Sequence, residues 1–247
     1  MQLSSNTILI TGGATGIGLA LGERLLAAGN RIIVCGRRAQ PLAAVKATHP
    51  QVETRVSDVS KPAEREALVE WATRSFPDLN VLVNNAGIQR RVQLDNDRDW
   101  QAMHEEIAIN LDAPLHLTSL VLPHLLKQTR AAIVNVTSGL SFVPLAATPV
   151  YCATKAALHS FTLSLRHQLS GSSVEVVEII PPAVNTDLGG PGLHTFGVAV
   201  DEFADAAMSQ LEAGANEVTH GFAQQASRAS REQLEAIFQR INSERPT

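Results

Sequence analysis

The chain has 247 residues, of which 45% are hydrophobic and 18% charged; 20 basic side chains against 24 acidic ones leave a net charge of −4. That balance excludes a disordered or low-complexity chain, and the length provides for one large α/β domain or two small ones without disulfide staples. Charges of both signs are interspersed, which excludes the basic stripe of a nucleic-acid binder.

The two cysteines, Cys35 and Cys152, stand in apolar runs and are too few for a disulfide framework. Buried free thiols in a reducing compartment are expected. Ahead of the first apolar run, Met1 to Thr7 carry no Lys or Arg, and the run itself is only Ile8-Leu9-Ile10. A secretory core needs roughly 7–15 apolar residues and a membrane span roughly 18. A soluble, cytoplasmic protein without membrane insertion is expected.

Residues 7–11 read as a strand and 16–28 as a helix stopped by Gly29-Asn30. A second strand follows at 31–35, a second helix at 41–47 and a third strand at 52–56. Residues 61–76 read as a long helix with Ser60 as N-cap and Pro62 in its first turn. Then come a short buried strand at 81–83, a helical stretch from about 99 to 127, a strand at 131–137, a helix at 150–169 and a strand at 174–180. Glu217-Val218-Thr219 has the makings of a last strand, and the tail around Leu234, Ile237 and Phe238 predicts a terminal helix over about 230–243. Strands alternating with helices signal a parallel sheet covered on both faces. Continuously apolar strands such as Ala132-Ile133-Val134 fit that burial. No linker or repeat interrupts the pattern. The expectation is one α/β domain over 1–247, a Rossmann-type doubly wound parallel sheet.

Thr11-Gly12-Gly13-Ala14-Thr15-Gly16-Ile17-Gly18 joins the first strand to the first helix. Glycines there permit a tight turn and let backbone N–H groups approach a pyrophosphate, and the helix N-terminus adds partial positive charge. Gly12, Thr15, Gly16, Ile17 and Gly18 are therefore the candidate phosphate contacts. An acidic residue at the end of the second strand would bind a free ribose 2′-hydroxyl. Gly36 stands there instead, followed by Arg37 and Arg38. Guanidinium groups clasp a 2′-phosphate, so NADP(H) is expected ahead of NAD(H).

Tyr151 and Lys155 are one helical turn apart, on one face. A cation beside a phenol favours the phenolate, which turns tyrosine into a usable acid–base group. Tyr151 is the only tyrosine, and Ser138 stands at the carboxyl end of the strand preceding that helix, the end where open α/β sheets bind ligands. Its hydroxyl is placed to steady developing charge on a substrate oxygen. Ser141 is a rival better suited to a turn.

Together with Asp58-Val59, Asn84-Asn85-Ala86-Gly87, Asn110 and Pro181 through Thr186, these pieces resemble the short-chain dehydrogenase/reductase family from about residue 7 to 188. The resemblance implies that Tyr151 exchanges the proton, Ser138 orients the substrate oxygen, and Lys155 holds the nicotinamide ribose and lowers the Tyr151 pKa. It implies that Asn110 holds a water in a relay to Lys155 and that Asp58 and Val59 meet adenine. Asn85, Ala86 and Gly87 would line the cofactor, and Val184 and Thr186 would meet its carboxamide or phosphates. Thr137-Ser138-Gly139-Leu140, the run Pro149 to Ser160 and Pro181-Pro182 resemble one subgroup, named for the lipoteichoic-acid D-alanine esterification-associated short-chain dehydrogenase. That name reflects association and gives no substrate.

Pro182 stands where the family has Gly, which stiffens the cofactor-side loop. The family's Gly…Asp-Gly-Gly ending is missing, so a homodimer through the long helices is expected over a tetramer. Arg90 and Arg91, after the fourth strand, are either an anion-greeting pair at the substrate mouth or a solvated pair. Residues 187–200 are Gly-rich and read as a substrate loop. The eight histidines form no metal-spaced pair and no Cys/His cluster, so no metal site is expected. The function expected is carbonyl–secondary alcohol interconversion by hydride transfer with NADP(H). The alternatives are an NADP(H)-binding regulatory protein without turnover, and the same chemistry with NAD(H).

Overall fold

Residues 1–96 and 99–243 are described by the computed structural model; positions 97, 98 and 244–247, which the single-domain reading includes, lie outside the described residues. The strands are β1 (Thr7–Thr11), β2 (Arg31–Gly36), β3 (Glu53–Val56), β4 (Leu79–Asn84), β5 (Ala131–Val136), β6 (Val174–Ile180) and β7 (Glu217–Thr219). They form one sheet in the order β3-β2-β1-β4-β5-β6-β7, with every pairing parallel. The order reverses between β1 and β4, and a crevice opens outside the carboxyl ends of the strands at such a point.

Alternation along each strand feeds two cores. Ile8, Ile10, Ile32, Val34, Val81 and Val83 pack with α1 (Gly16–Ala27), α2 (Ala39–Thr48) and α7 (Val200–Glu212) on one face. Leu9, Ile33, Leu82 and Ile133 pack with α3 (Pro62–Ser75), α5 (Ala113–Leu125) and α6 (Pro149–Gln168) on the other. A smaller cluster of Val143, Ala226 and Ile237 seats α8 (Phe222–Ser227) and α9 (Arg231–Asn242) below the turn that follows β5. The fold is the Rossmann-type α/β domain that the alternating pattern predicts. No helix among the described residues is long and apolar enough to cross a membrane.

Two local expectations need correction, and two helices had no expectation at all. Ser60 is not the N-cap of α3; Lys61 holds that position without a side-chain bond, because the Ser60 hydroxyl and N–H both donate to Asp58 Oδ1, at 2.8 and 3.1 Å. The stretch from 99 to 127 is not one regular helix. It runs as α4 (Trp100–Ile107), a π-turn (Ala108–Asp112) and α5. Finally, α7 and α8 went unread, although Phe203, Ala207 and Leu211 recur at four-residue spacing behind an acidic first turn of Asp201 and Glu202.

Candidate active site

The glycine loop is built against β4 as much as toward a ligand. Thr11 Oγ1 accepts from the N–H groups of Asn85 and Ala86, both at 3.0 Å. Asn85 Nδ2 returns two bonds, to the carbonyls of Thr11 at 2.9 Å and Gly12 at 3.1 Å. A Cβ at Gly12 would stand 2.9 Å from Ala86 Cα, and one at Gly18 would stand 2.3 Å from Asn85 Nδ2. Gly12 and Gly16 also hold positive φ, +64° and +55°, where L side chains are strained. Thr15 makes no side-chain cap for α1 and its first turn holds no acidic residue. The leading N–H groups and the positive end of the helix, which begins with Gly16, Ile17 and Gly18, are thus left to an anion.

Across the crevice, Val184 is buried and bridges Val198, with Asn185 N–H donating to the Val198 carbonyl at 2.8 Å. This closes the 183–198 segment into a loop and brings Thr186 beside the glycine loop, with Thr186 Cγ2 3.3 Å from a Cβ built on Gly16. Gly189 lies close enough to the β4 exit that a Cβ there would meet the Gln89 carbonyl at 3.1 Å.

The π-turn places Asn110, fully buried, against the segment leaving β4. Asn110 Oδ1 accepts from the Ile88 N–H at 2.9 Å and Nδ2 donates to the Ile88 carbonyl at 2.8 Å. Both ends of the amide hold one residue, so the Asn110 side chain fixes backbone here. Gly87 sits between Asn110 and Lys155; a Cβ on it would lie 3.4 Å from Asn110 Oδ1 and 3.7 Å from Lys155 Nζ.

Ser138 follows β5, and Tyr151 and Lys155 lie on the first turns of α6; all three are buried. The Ser138 oxygen accepts from the Leu140 N–H at 3.1 Å, and its hydroxyl also interacts with the Tyr151 phenol, favouring the phenolate. Burial outweighs that pull and pushes the phenol above its ordinary value. Lys155 Nζ donates to the Val136 carbonyl at 2.7 Å and stands 5.7 Å from the Tyr151 ring centroid. Burial lowers Lys155 to about 8. The expectation of a phenol lowered by its lysine is therefore not what this arrangement produces, because desolvation dominates both groups.

The remaining candidates divide. Arg37 Nη1 donates to Glu105 Oε1 at 2.7 Å, whereas Arg38 is exposed at the N-cap of α2. At Gly36 a Cβ would meet open space. The Asp58 carboxylate accepts from Ser60, its own N–H donates to Glu64 Oε2 at 2.6 Å, and Val59 belongs to the core. In this structure Asp58 and Val59 thus act as a turn and a packing residue. Arg90 is engaged with α4, through Glu105 Oε2 at 2.5 Å and the Ala102 carbonyl at 2.8 Å; Arg91 is exposed.

Sequence reasoning missed two carboxylates. Glu106 is fully buried on α4; its Oε1 accepts from the Arg90 N–H at 3.3 Å while Oε2 has no partner. Burial raises it to about 7, and its charge opposes ionisation of Tyr151 and Cys152. Glu178, fully buried on β6, accepts from Thr137 Oγ1 at 2.6 Å and pairs with His159 Nδ1 at 2.9 Å, which raises the histidine. This network braces the strand end that carries Ser138. A Glu inside the apolar stretch Val176-Val177-Glu178-Ile179-Ile180 was the visible signal for the second.

A family model described as short chain dehydrogenase matches residues 6–194. The chain is 46% identical over 250 residues to the uncharacterized oxidoreductase DltE of Bacillus subtilis, with 99% of each covered. A short chain dehydrogenase structure from Burkholderia cenocepacia, in complex with NADP, matches with a TM-score of 0.84 and 29% identity, covering 96% of this chain and 99% of that one. A Burkholderia phymatum structure in complex with NAD shares the fold with a TM-score of 0.82 at 20% identity, covering 100% and 99%.

Proposed function

The chain belongs to the short-chain dehydrogenase/reductase family, in its DltE-like subgroup, and from that premise we propose an NADP(H)-dependent oxidoreductase that interconverts a carbonyl and a secondary alcohol. The observation that carries the reading is the convergence of Ser138, Tyr151 and Lys155 at the carboxyl end of β5, the same edge of the parallel sheet from which the glycine loop leaves β1.

The fit to a dinucleotide rests on the uncapped start of α1 and on Gly12 and Gly16 in conformations that hold the turn open. Gly12, Thr15, Gly16, Ile17 and Gly18 would hold the pyrophosphate. Asp58 and Val59 would meet adenine, Asn85 to Gly87 would line the cofactor beside β4, Val184 and Thr186 would meet its carboxamide or phosphates, and Tyr151 and Lys155 would flank the nicotinamide ribose. Arg37 and Arg38 would take a 2′-phosphate, and the absence of a carboxylate at Gly36 favours NADP(H) over NAD(H). The Burkholderia cenocepacia relative was solved with NADP.

When bound, the cofactor supplies or accepts the hydride. In reduction Tyr151, its phenol held protonated by burial, donates a proton to the substrate oxygen while Ser138 donates a hydrogen bond to that oxygen. The Lys155 cation favours the phenolate left behind. Asn110 holds Ile88 and thereby the cofactor-side segment. The 187–200 loop, seated near Gln89, covers the substrate, and Arg91 rather than the engaged Arg90 is free to meet an anionic one. The same reading expects a cytoplasmic homodimer, with exposed Leu163 on α6 at its interface; a monomer mass in light scattering would contradict it.

Titration with NADPH and with NADH, followed by nicotinamide fluorescence, tests the cofactor. NADPH is expected to bind more tightly; equal or tighter NADH overturns the Arg37 assignment, and no binding of either overturns the enzyme. Tyr151→Phe tests the chemistry. It should keep NADPH affinity and lose roughly 10²–10⁴-fold in carbonyl reduction; undiminished turnover removes Tyr151 from the reaction.

A further inference from the structure

Arg37 follows β2 and Glu105 lies on α4, beyond β4. In the sheet, β1 separates those two strands. The 2.7 Å bond between Arg37 Nη1 and Glu105 Oε1 therefore spans the carboxyl end of β1, over the crevice where a dinucleotide lies in such folds. The other oxygen of the same carboxylate takes Arg90 Nη2 at 2.5 Å. Arg90 is held independently by its bond to the Ala102 carbonyl, so it fixes Glu105 from the α4 side. The two guanidiniums together hold the Glu105 carboxyl below the usual carboxylate range, and it stays ionised. Arg37 is 47% exposed. It is the more exposed partner, open to exchange one anion for another.

We infer that Glu105 is a cofactor-selectivity residue, a fixed carboxylate that competes with the 2′-phosphate of NADP(H) for Arg37 and thereby limits the preference for NADP(H) over NAD(H). The inference rests on the proposed role of Arg37. A phosphate arriving at Arg37 must either displace Glu105 or sit beside it, and a carboxylate opposes a phosphate in both cases. NAD(H) carries no 2′-phosphate and is spared. The position gave no sign of this in the sequence, because Glu105 is far from Arg37 along the chain and lies on a helix assigned to other work.

The test is a fluorescence titration of NADPH and NADH on the full chain and on Glu105→Gln, Glu105→Ala, Arg37→Ala and the Arg37→Ala/Glu105→Gln pair. Removing the carboxylate should tighten NADPH by about threefold, the scale of a partly exposed ion pair, and leave NADH within twofold. In the Arg37→Ala background the gain should vanish. Unchanged or weaker NADPH binding in both Glu105 variants, while Arg37→Ala still weakens NADPH, overturns the competition and leaves the Arg37 assignment standing. Weaker NADH binding in both overturns it too, making Glu105 a ribose ligand. If Arg37→Ala leaves NADPH affinity unchanged, the Arg37 assignment itself fails and takes this inference with it.

Discussion

Desolvation sets the state of the ionisable groups around β5. Glu106 is raised to about 7 because its carboxyl is fully buried with one oxygen unpartnered. An unfolded glutamate loses its proton near 4.3, so between about 4.3 and 7 the folded chain binds more protons than the unfolded one. Stability contributed at this site falls as pH rises through that window and stays low above it. The shift corresponds to at most about 4 kcal/mol. Glu106→Gln should accordingly raise the thermal midpoint at pH 8 by a few degrees and change it little at pH 4; a variant equally or less stable at pH 8 would show that the carboxylate finds a partner. Lys155, lowered to about 8 by burial, gives a second pH signature. Tyr151 is held above its ordinary range and keeps its proton, so the group lost on the alkaline side is the Lys155 cation. A kcat/KM profile for carbonyl reduction should be flat near neutrality and fall above about pH 8; a profile still flat at pH 10 would contradict this.

At the scale of elements, the glycine loop was legible and its reasons were only half so. Spacing and strand–turn–helix context placed Gly12, Gly16 and Gly18 along the turn from β1 into α1, where they are. A tight turn and an approaching pyrophosphate are the local reasons for them, yet Gly12 and Gly18 are glycines also because Ala86 and Asn85 press against them. Contact between segments so distant in sequence leaves no local trace. Gly18→Ala is therefore expected to destabilise the chain by about 1–3 kcal/mol and to weaken NADPH, since its Cβ would sit 2.3 Å from Asn85 Nδ2 and 2.7 Å from the Gly12 carbonyl. An unchanged urea midpoint would show that Asn85 yields freely. The π-turn at Asn110 was unreadable for a different reason. Its neighbours Ala108, Ile109 and Leu111 suit a regular helix, and the widening is understood only once Ile88 is seen held by the amide.

At the scale of the molecule, the sheet was legible because the parallel strands β1, β2, β4, β5 and β6, buried on both faces, need apolar runs and those runs are visible one by one. The segments that close the crevice were less so, since α7 and the 183–198 loop are ordered by partners elsewhere, as in the pairing of Arg24 on α1 with Asp201 and Asp205 at 3.2 and 2.6 Å. This distribution makes the crevice a junction of separately anchored pieces: the β1 loop, the end of β2, the β4 exit with α4, and the loop after β6. A ligand touching all four adds to the stability of the whole chain rather than of one element. At a hundredfold excess over Kd the linkage is about 2.7 kcal/mol, or roughly 5–10 °C in the midpoint of a chain this size. NADPH should produce that shift in differential scanning fluorimetry, and NADH at the same concentration a smaller one. Because the linkage follows affinity, Arg37→Ala should bring the two shifts together. A gap that persists in that variant would mean the 2′-phosphate is recognised by a group other than Arg37.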